Sequence, residues 1–183
     1  MLIVGLLWLG LERQFLEKEH KVLDFKKWFN PQHYNRLWNV GPPGLIISLC
    51  LIYFIHQIEI KLSLKTFVLS DAWFWALFIL TAIDATILLV WVLFSLPPKQ
   101  RGRTLSKKGI YGFIRHPIYT AIIYHTTILY SLFWGSFLLL FFLPLHHAIW
   151  SKMVVKEEQY LVGIFGEEYL DYMDEVPRFV PWF

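Results

Sequence analysis

Two groups of ionisable residues sit at the ends of apolar runs, where they could do chemistry. One is Arg115-His116-Pro117-Ile118-Tyr119, at the head of a long apolar stretch, and the other is the acid pair Glu157-Glu158. With Pro117 in a first helical turn, His116 becomes the N-cap. The free backbone N–H groups and the positive dipole end then offer a place for an anionic group. A plainer reading has Arg115 snorkelling to lipid phosphate while His116 caps and Pro117 starts the helix. Adjacent acids at a helix C-terminal end oppose its dipole and need a partner. Arg115, His116 and Lys156 would supply one from within the protein and a cationic ligand from outside; a solvated acidic cap is the alternative.

The elements that must position these residues belong in a membrane. The chain has 183 residues, 56% hydrophobic and 19% aromatic, with a mean hydropathy of +0.47, far above soluble averages. The net charge is only +3, yet Lys99, Arg101, Arg103, Lys107, Lys108 and Arg115 fall in one stretch without an acid. Because apolar segments flank that stretch, a nucleic-acid patch is excluded. The lone Cys50 lies in an apolar run, so neither an intrachain disulfide nor a thiolate metal cluster can form. The opening MLIVGLLWLGL lacks a positive n-region and a small-residue cleavage site, which argues against a secretory signal.

The expected fold class is all-α: a polytopic transmembrane helix bundle of four or five spans with a C-terminal amphipathic cytoplasmic helix. Spans are predicted over 41–60, entered through Pro42 and Pro43, and over 73–96, stopped by Pro97 and Pro98. Two more fill 118–155 as a tight hairpin turning at 133–136, and residues 1–16 are read as a fifth. The chain divides into N-terminal transmembrane helices, 1–96, and a region carrying the chemistry, 97–183.

Short loops rich in Lys and Arg stay cytoplasmic, which places the loop 97–116 there. Residues 61–72 then lie outside, and 17–40, with Lys18, Lys21, Lys26, Lys27 and Arg36, return to the cytoplasm. The hairpin leaves and re-enters on one face, so Arg115 and His116 should lie close to Glu157 and Glu158. Beyond them, Tyr160, Leu161, Ile164, Phe165, Tyr169 and Tyr172 recur at helical spacing with acids opposite, as in a lid lying against the membrane or over the bundle mouth.

Other polar residues carry weaker signals. Asp84 is near mid-span and is expected to face the bundle interior. His56 and His125 read as interfacial or packed. The His146-His147 pair looks most like a metal ligand set, but no HxxxH or HxxHH accompanies it, so no metal site is expected.

The segment GIYGFIRHPIYT, followed by a hairpin and then EEQYLVGIFGEEYLDYMDEVPRFVP, resembles the isoprenylcysteine carboxyl methyltransferase family and its relatives, the phospholipid N-methyltransferases. The resemblance covers residues 100 to 181. It implies an integral membrane methyltransferase using S-adenosylmethionine, with the cofactor held at the cytoplasmic ends of the last helices. It also implies a lipophilic acceptor entering from the bilayer, in a bacterial inner membrane or the endoplasmic reticulum. Cofactor-site positions carry over to Thr104, Leu105, Ser106, Tyr111, His116, Pro117, Ile118, Tyr119 and Glu157. The Pro117 helix start would hold the cofactor carboxylate, Glu157 would pair with its ammonium or lie near its sulfonium, and Tyr111 or Tyr119 would pack on its adenine, with Glu167 to Val180 closing over them.

One departure concerns the acceptor. An Arg that the family places about one turn before the acid pair is Met153 here, with Lys152 and Lys156 nearby. An amine acceptor needs a base, Glu158 or His116. A carboxylate acceptor needs none and would be oriented by Arg115 or Lys156. Two other classes compete: a sterol-reductase-like enzyme using NADPH, and a non-catalytic membrane protein whose basic loop binds anionic lipid.

Overall fold

The computed structural model describes residues 40–64, 66–96 and 104–180. The expected span over 1–16, the basic segment 17–39 and the whole run from Lys99 to Arg103 lie outside those residues. The described residues form helices and connecting turns, with no strand among them.

Helix α1 (Gly41–Lys61) opens with Pro42 and Pro43 in its first turn, where the missing N–H groups have no intrahelical acceptor to lose. It ends at Leu62 and Ser63, the latter with φ 49°. Helix α2 (Asp71–Ser95) starts after Ser70, and Asp71 in its first turn complements the dipole. It stops at extended Leu96, the residue before Pro97, where helical backbone is disfavoured.

Both helices are long and apolar enough to cross a bilayer, spanning roughly 30 to 40 Å at about 1.5 Å per residue. The most apolar stretch of α2 is only 6% buried. A core helix of a water-soluble protein would hide that surface; a helix bathed in lipid has no need to.

The hairpin follows. Helix α3 (Pro117–Thr120) runs through a π-helical turn (Ala121–His125) into α4 (Thr126–Trp134). Gly135 reverses the chain with φ 63°, and Ser136 caps α5 (Phe137–Phe141) by accepting from the Leu139 N–H. A left-handed Gly followed by a Ser N-cap is what the residues 133–136 encode. After a break at Phe142, α6 (Leu143–Phe165) returns along the outgoing limb.

The predicted lid is not one continuous helix. Gly166, at φ 62°, breaks it, and α7 (Glu167–Glu175) sets off in a new direction with Tyr169 and Tyr172 buried.

Residues from both parts of the chain share cores. Ile52 and Ile55 of α1 pack with Leu139 of α5, and Val92 of α2 packs with Ile110 and Ile114. Between α1 and α6 the Trp150 ring lies against the backbone at Gly44, where a Cβ would come within 2.4 Å of it. A buried polar network reinforces that contact: Trp150 Nε1 donates to Ser48 Oγ at 2.8 Å, and His146 bonds Ser48 and Thr127 through its two ring nitrogens at 2.7 and 2.9 Å. His146 is thus held by hydroxyl groups. Among the described residues no cluster of three or more potential ligands is present.

Two polar residues of the spans differ from expectation or refine it. Asp84 does not face the bundle interior: its side chain is 73% exposed and bonds His125 Nε2 at 2.8 Å. The α2 register that turns Val92 towards Ile110 and Ile114 leaves Asp84 on an outer surface. His56 stacks on Trp134 with ring centroids 4.0 Å apart and lies 3.7 Å from the buried Glu59.

Candidate active site

The site forms where four segments meet: the residues before α3, the first turn of α3, the later turns of α6, and the chain after α7. A short 3₁₀ turn (Gly109–Gly112) anchors on α2, the Ile110 N–H meeting Ser95 Oγ at 3.2 Å. Ser106 Oγ donates to the Ser95 carbonyl at 3.1 Å, so the basic loop is tied to the end of α2.

From there the chain passes through a bend at Arg115 and through His116, at φ −123° and ψ 62°, into α3. The segment after α7 runs beside it as a strap. Arg115 N–H donates to Pro177 O at 2.9 Å, His116 N–H to Arg178 O at 3.0 Å, and Thr120 Oγ1 to Phe179 O at 2.7 Å. The backbone N–H groups of Arg115 and His116 are therefore taken by the strap. The His116 side chain caps nothing, because its ring turns towards Glu158.

Glu158, only 2% exposed, is the hub of the arrangement. Its Oε1 meets His116 Nε2 at 3.1 Å, Arg178 Nε at 3.2 Å and Arg115 Nη2 at 3.4 Å, while Oε2 receives Arg178 Nη2 at 2.5 Å. Burial by itself would raise its pKa; the His116 hydrogen bond and the two guanidinium charges outweigh that and hold the carboxyl well below the usual carboxylate range. A carboxylate so tightly held is a weak base. Arg115 is likewise buried rather than snorkelled, and its Nε and Nη1 have no hydrogen-bond partner among the described residues.

Glu157 takes a different neighbour. Tyr119 donates its hydroxyl to Glu157 Oε2 at 2.7 Å. The Tyr119 ring stacks on His116 at 5.4 Å and lies against Trp150 at 4.7 Å. With those two rings against it, Tyr119 is filled on the sides that adenine would need, whereas Tyr111 is only partly buried. Tyr172, its phenol pushed up by burial and so a neutral donor, bonds the Tyr111 carbonyl at 2.6 Å. Burial likewise raises the pKa of Tyr169.

The remaining sequence-derived positions divide clearly. Pro117 is buried, and Ile118 packs on the cores to either side of it. Leu105 lies against Tyr169, Tyr172 and Val176 beneath the strap, and Thr104 is exposed. Lys156 is exposed and stands apart from the cluster, since two residues along a helix place it about 200° from Glu158. Arg178, Phe179 and Trp150 were not singled out from sequence. Arg178 sits between two prolines in VPRFVP, and that isolated cation in an apolar strap was the available signal.

Comparison with known proteins bears on this constellation. The chain is 30% identical over 84 residues to a protein-S-isoprenylcysteine O-methyltransferase of Xenopus laevis, and 33% identical over 85 residues to one of Schizosaccharomyces pombe. The likeness is to isoprenylcysteine O-methyltransferases. It covers 46% and 45% of this chain, and the matched stretch spans about a third of either relative, 29% and 35%. No family model matches the chain.

Proposed function

We propose that this protein is an integral membrane methyltransferase that uses S-adenosylmethionine on a lipophilic acceptor, with its active site on the cytoplasmic side. The observation that carries this reading is the convergence of His116, Tyr119, Glu157, Glu158 and Arg115 at one end of the hairpin, in a chain similar to named O-methyltransferases. In this reading residues 97–183 form the catalytic region and the earlier helices support it.

The residues suit the cofactor. Partly exposed Glu157 would hold an ammonium group, Tyr111 would pack on the adenine, and the buried Arg115, whose Nε and Nη1 have no partner among the described residues, would suit a carboxylate. When bound, S-adenosylmethionine supplies an electrophilic methyl group. The protein's task is then positioning and exclusion of water, because methyl transfer is an in-line displacement. The strap from Val176 to Val180 covers the cluster from the cytoplasmic side, and Phe179 is 1% exposed. With Glu158 held as an anion, an amine acceptor would lose its proton to His116; a carboxylate acceptor would need no base and would be oriented by Arg115. Lys156, on the exposed face of α6, would meet the acceptor or lipid headgroups at the surface.

Equilibrium binding of S-adenosylmethionine to the detergent-solubilised protein tests the reading. Binding that is lost on Glu157→Ala and on His116→Ala supports it, and absence of binding by the wild type overturns it.

A further inference from the structure

The helix that carries no motif, α1, reaches the site through one side chain. Trp150 is completely buried, and its indole ring lies 4.7 Å from that of Tyr119. On the α1 side the ring fills the space left by Gly44, and its N–H donates to Ser48 Oγ at 2.8 Å. Ser48 is itself fixed, donating to the Gly44 carbonyl at 2.8 Å. Tyr119 stacks on His116 and holds Glu157 through its hydroxyl.

We propose that Trp150 is a positioning residue that sets Tyr119, and through it Glu157, from α1: the contact of Gly44 and Ser48 with the indole determines how tightly the cofactor's ammonium end is held. The inference rests on the methyltransferase reading and adds a device that reading does not need. A buried indole N–H needs an acceptor in any case; what a Trp required only to fill the core would not need is a ring seated against the tyrosine that bonds Glu157. Locked rotamers of this kind are what hold a binding group in place, since small misplacements of a contact weaken it.

A double-mutant cycle on the full chain in detergent tests the proposal, with S-adenosylhomocysteine as the probe. Trp150→Phe keeps an apolar ring but removes the N–H and leaves room beside Gly44. It should weaken binding about tenfold, the size of a typical direct coupling. Tyr119→Phe removes the hydroxyl that holds Glu157. If Trp150 acts through that hydroxyl, Trp150→Phe has less than about a twofold effect in the Tyr119→Phe background. Effects that multiply, or a lower thermal midpoint with unchanged affinity, overturn the proposal and leave the methyltransferase reading intact. No binding by the wild type overturns both. If Trp150→Phe does not fold, Ser48→Ala keeps the indole and removes its nearer acceptor together with a partner of His146, whose Nε2 stays 3.2 Å from the indole nitrogen, and the same cycle with Tyr119→Phe decides.

Discussion

Arg178 closes the strap onto the helix that carries the acid pair: its Nη2 lies 2.5 Å from Glu158 Oε2, and its Nη1 donates to the Ser151 carbonyl at 3.3 Å. One side chain therefore joins the segment after α7 to two points of α6 about two turns apart. The strap is fixed by its backbone to Arg115 and His116 and by Arg178 to the acid between them.

Replacing Arg178 with Ala should loosen this closure. Glu158 keeps Arg115 and His116, so the cost should fall near the lower end for a broken buried ion pair, about 3 kcal/mol. Chemical unfolding in detergent measures it. Limited proteolysis should cut near Val176–Val180 faster in Arg178→Ala than in the wild type; equal rates would show that the backbone bonds alone hold the strap.

Acidification should weaken the protein through Glu158. Its pKa is lower in the folded protein than its ordinary 4.5, so its stabilising contribution is complete above that ordinary value. It is lost as pH falls below it towards the folded value. The thermal midpoint should thus be insensitive to this group near neutral pH and decline once the pH drops below about 4.5. Glu158→Gln should have a lower midpoint near neutral pH and a shallower acid decline, read from midpoints across a pH series.

Gly44→Ala introduces a methyl group within 2.4 Å of the Trp150 ring, with two further ring atoms closer than 3.0 Å. Neither α1 nor the buried indole can yield freely, so overpacking should cost about 1 to 3 kcal/mol. Thermal unfolding reads the loss, and affinity for S-adenosylhomocysteine should fall with it if Tyr119 is displaced.

Asp84→Asn should leave cofactor affinity within about twofold of wild type, the behaviour of a site distant from the binding residues. Asp84 is on an exposed face of α2 and bonds only His125 among the described side chains. A large loss of affinity would instead tie α2 to the site.

The local features of the site were legible in the sequence because they are encoded locally. Pro42 and Pro43 start α1, Gly135 and Ser136 turn the hairpin, and Pro117 begins α3 through backbone constraints that act within a few residues. A hairpin that returns to its own face was enough to bring His116 near Glu158, although they are separated by 42 positions.

Which acid meets which partner was decided only by the tertiary structure. Helical spacing puts Glu157 and Glu158 about 100° apart, so one faces Tyr119 and the other the arginines. Arg178 entered the site only because the chain turns at Gly166 and runs back beside Arg115. Asp84 shows the same limit from the other side: hydropathy marks a costly charge in a span, but the helix rotation that chooses interior or surface is set by what Val92 and its neighbours pack against. Composition, caps and turns are written in short stretches of chain, whereas partners across a fold depend on helix rotation, which no short stretch determines.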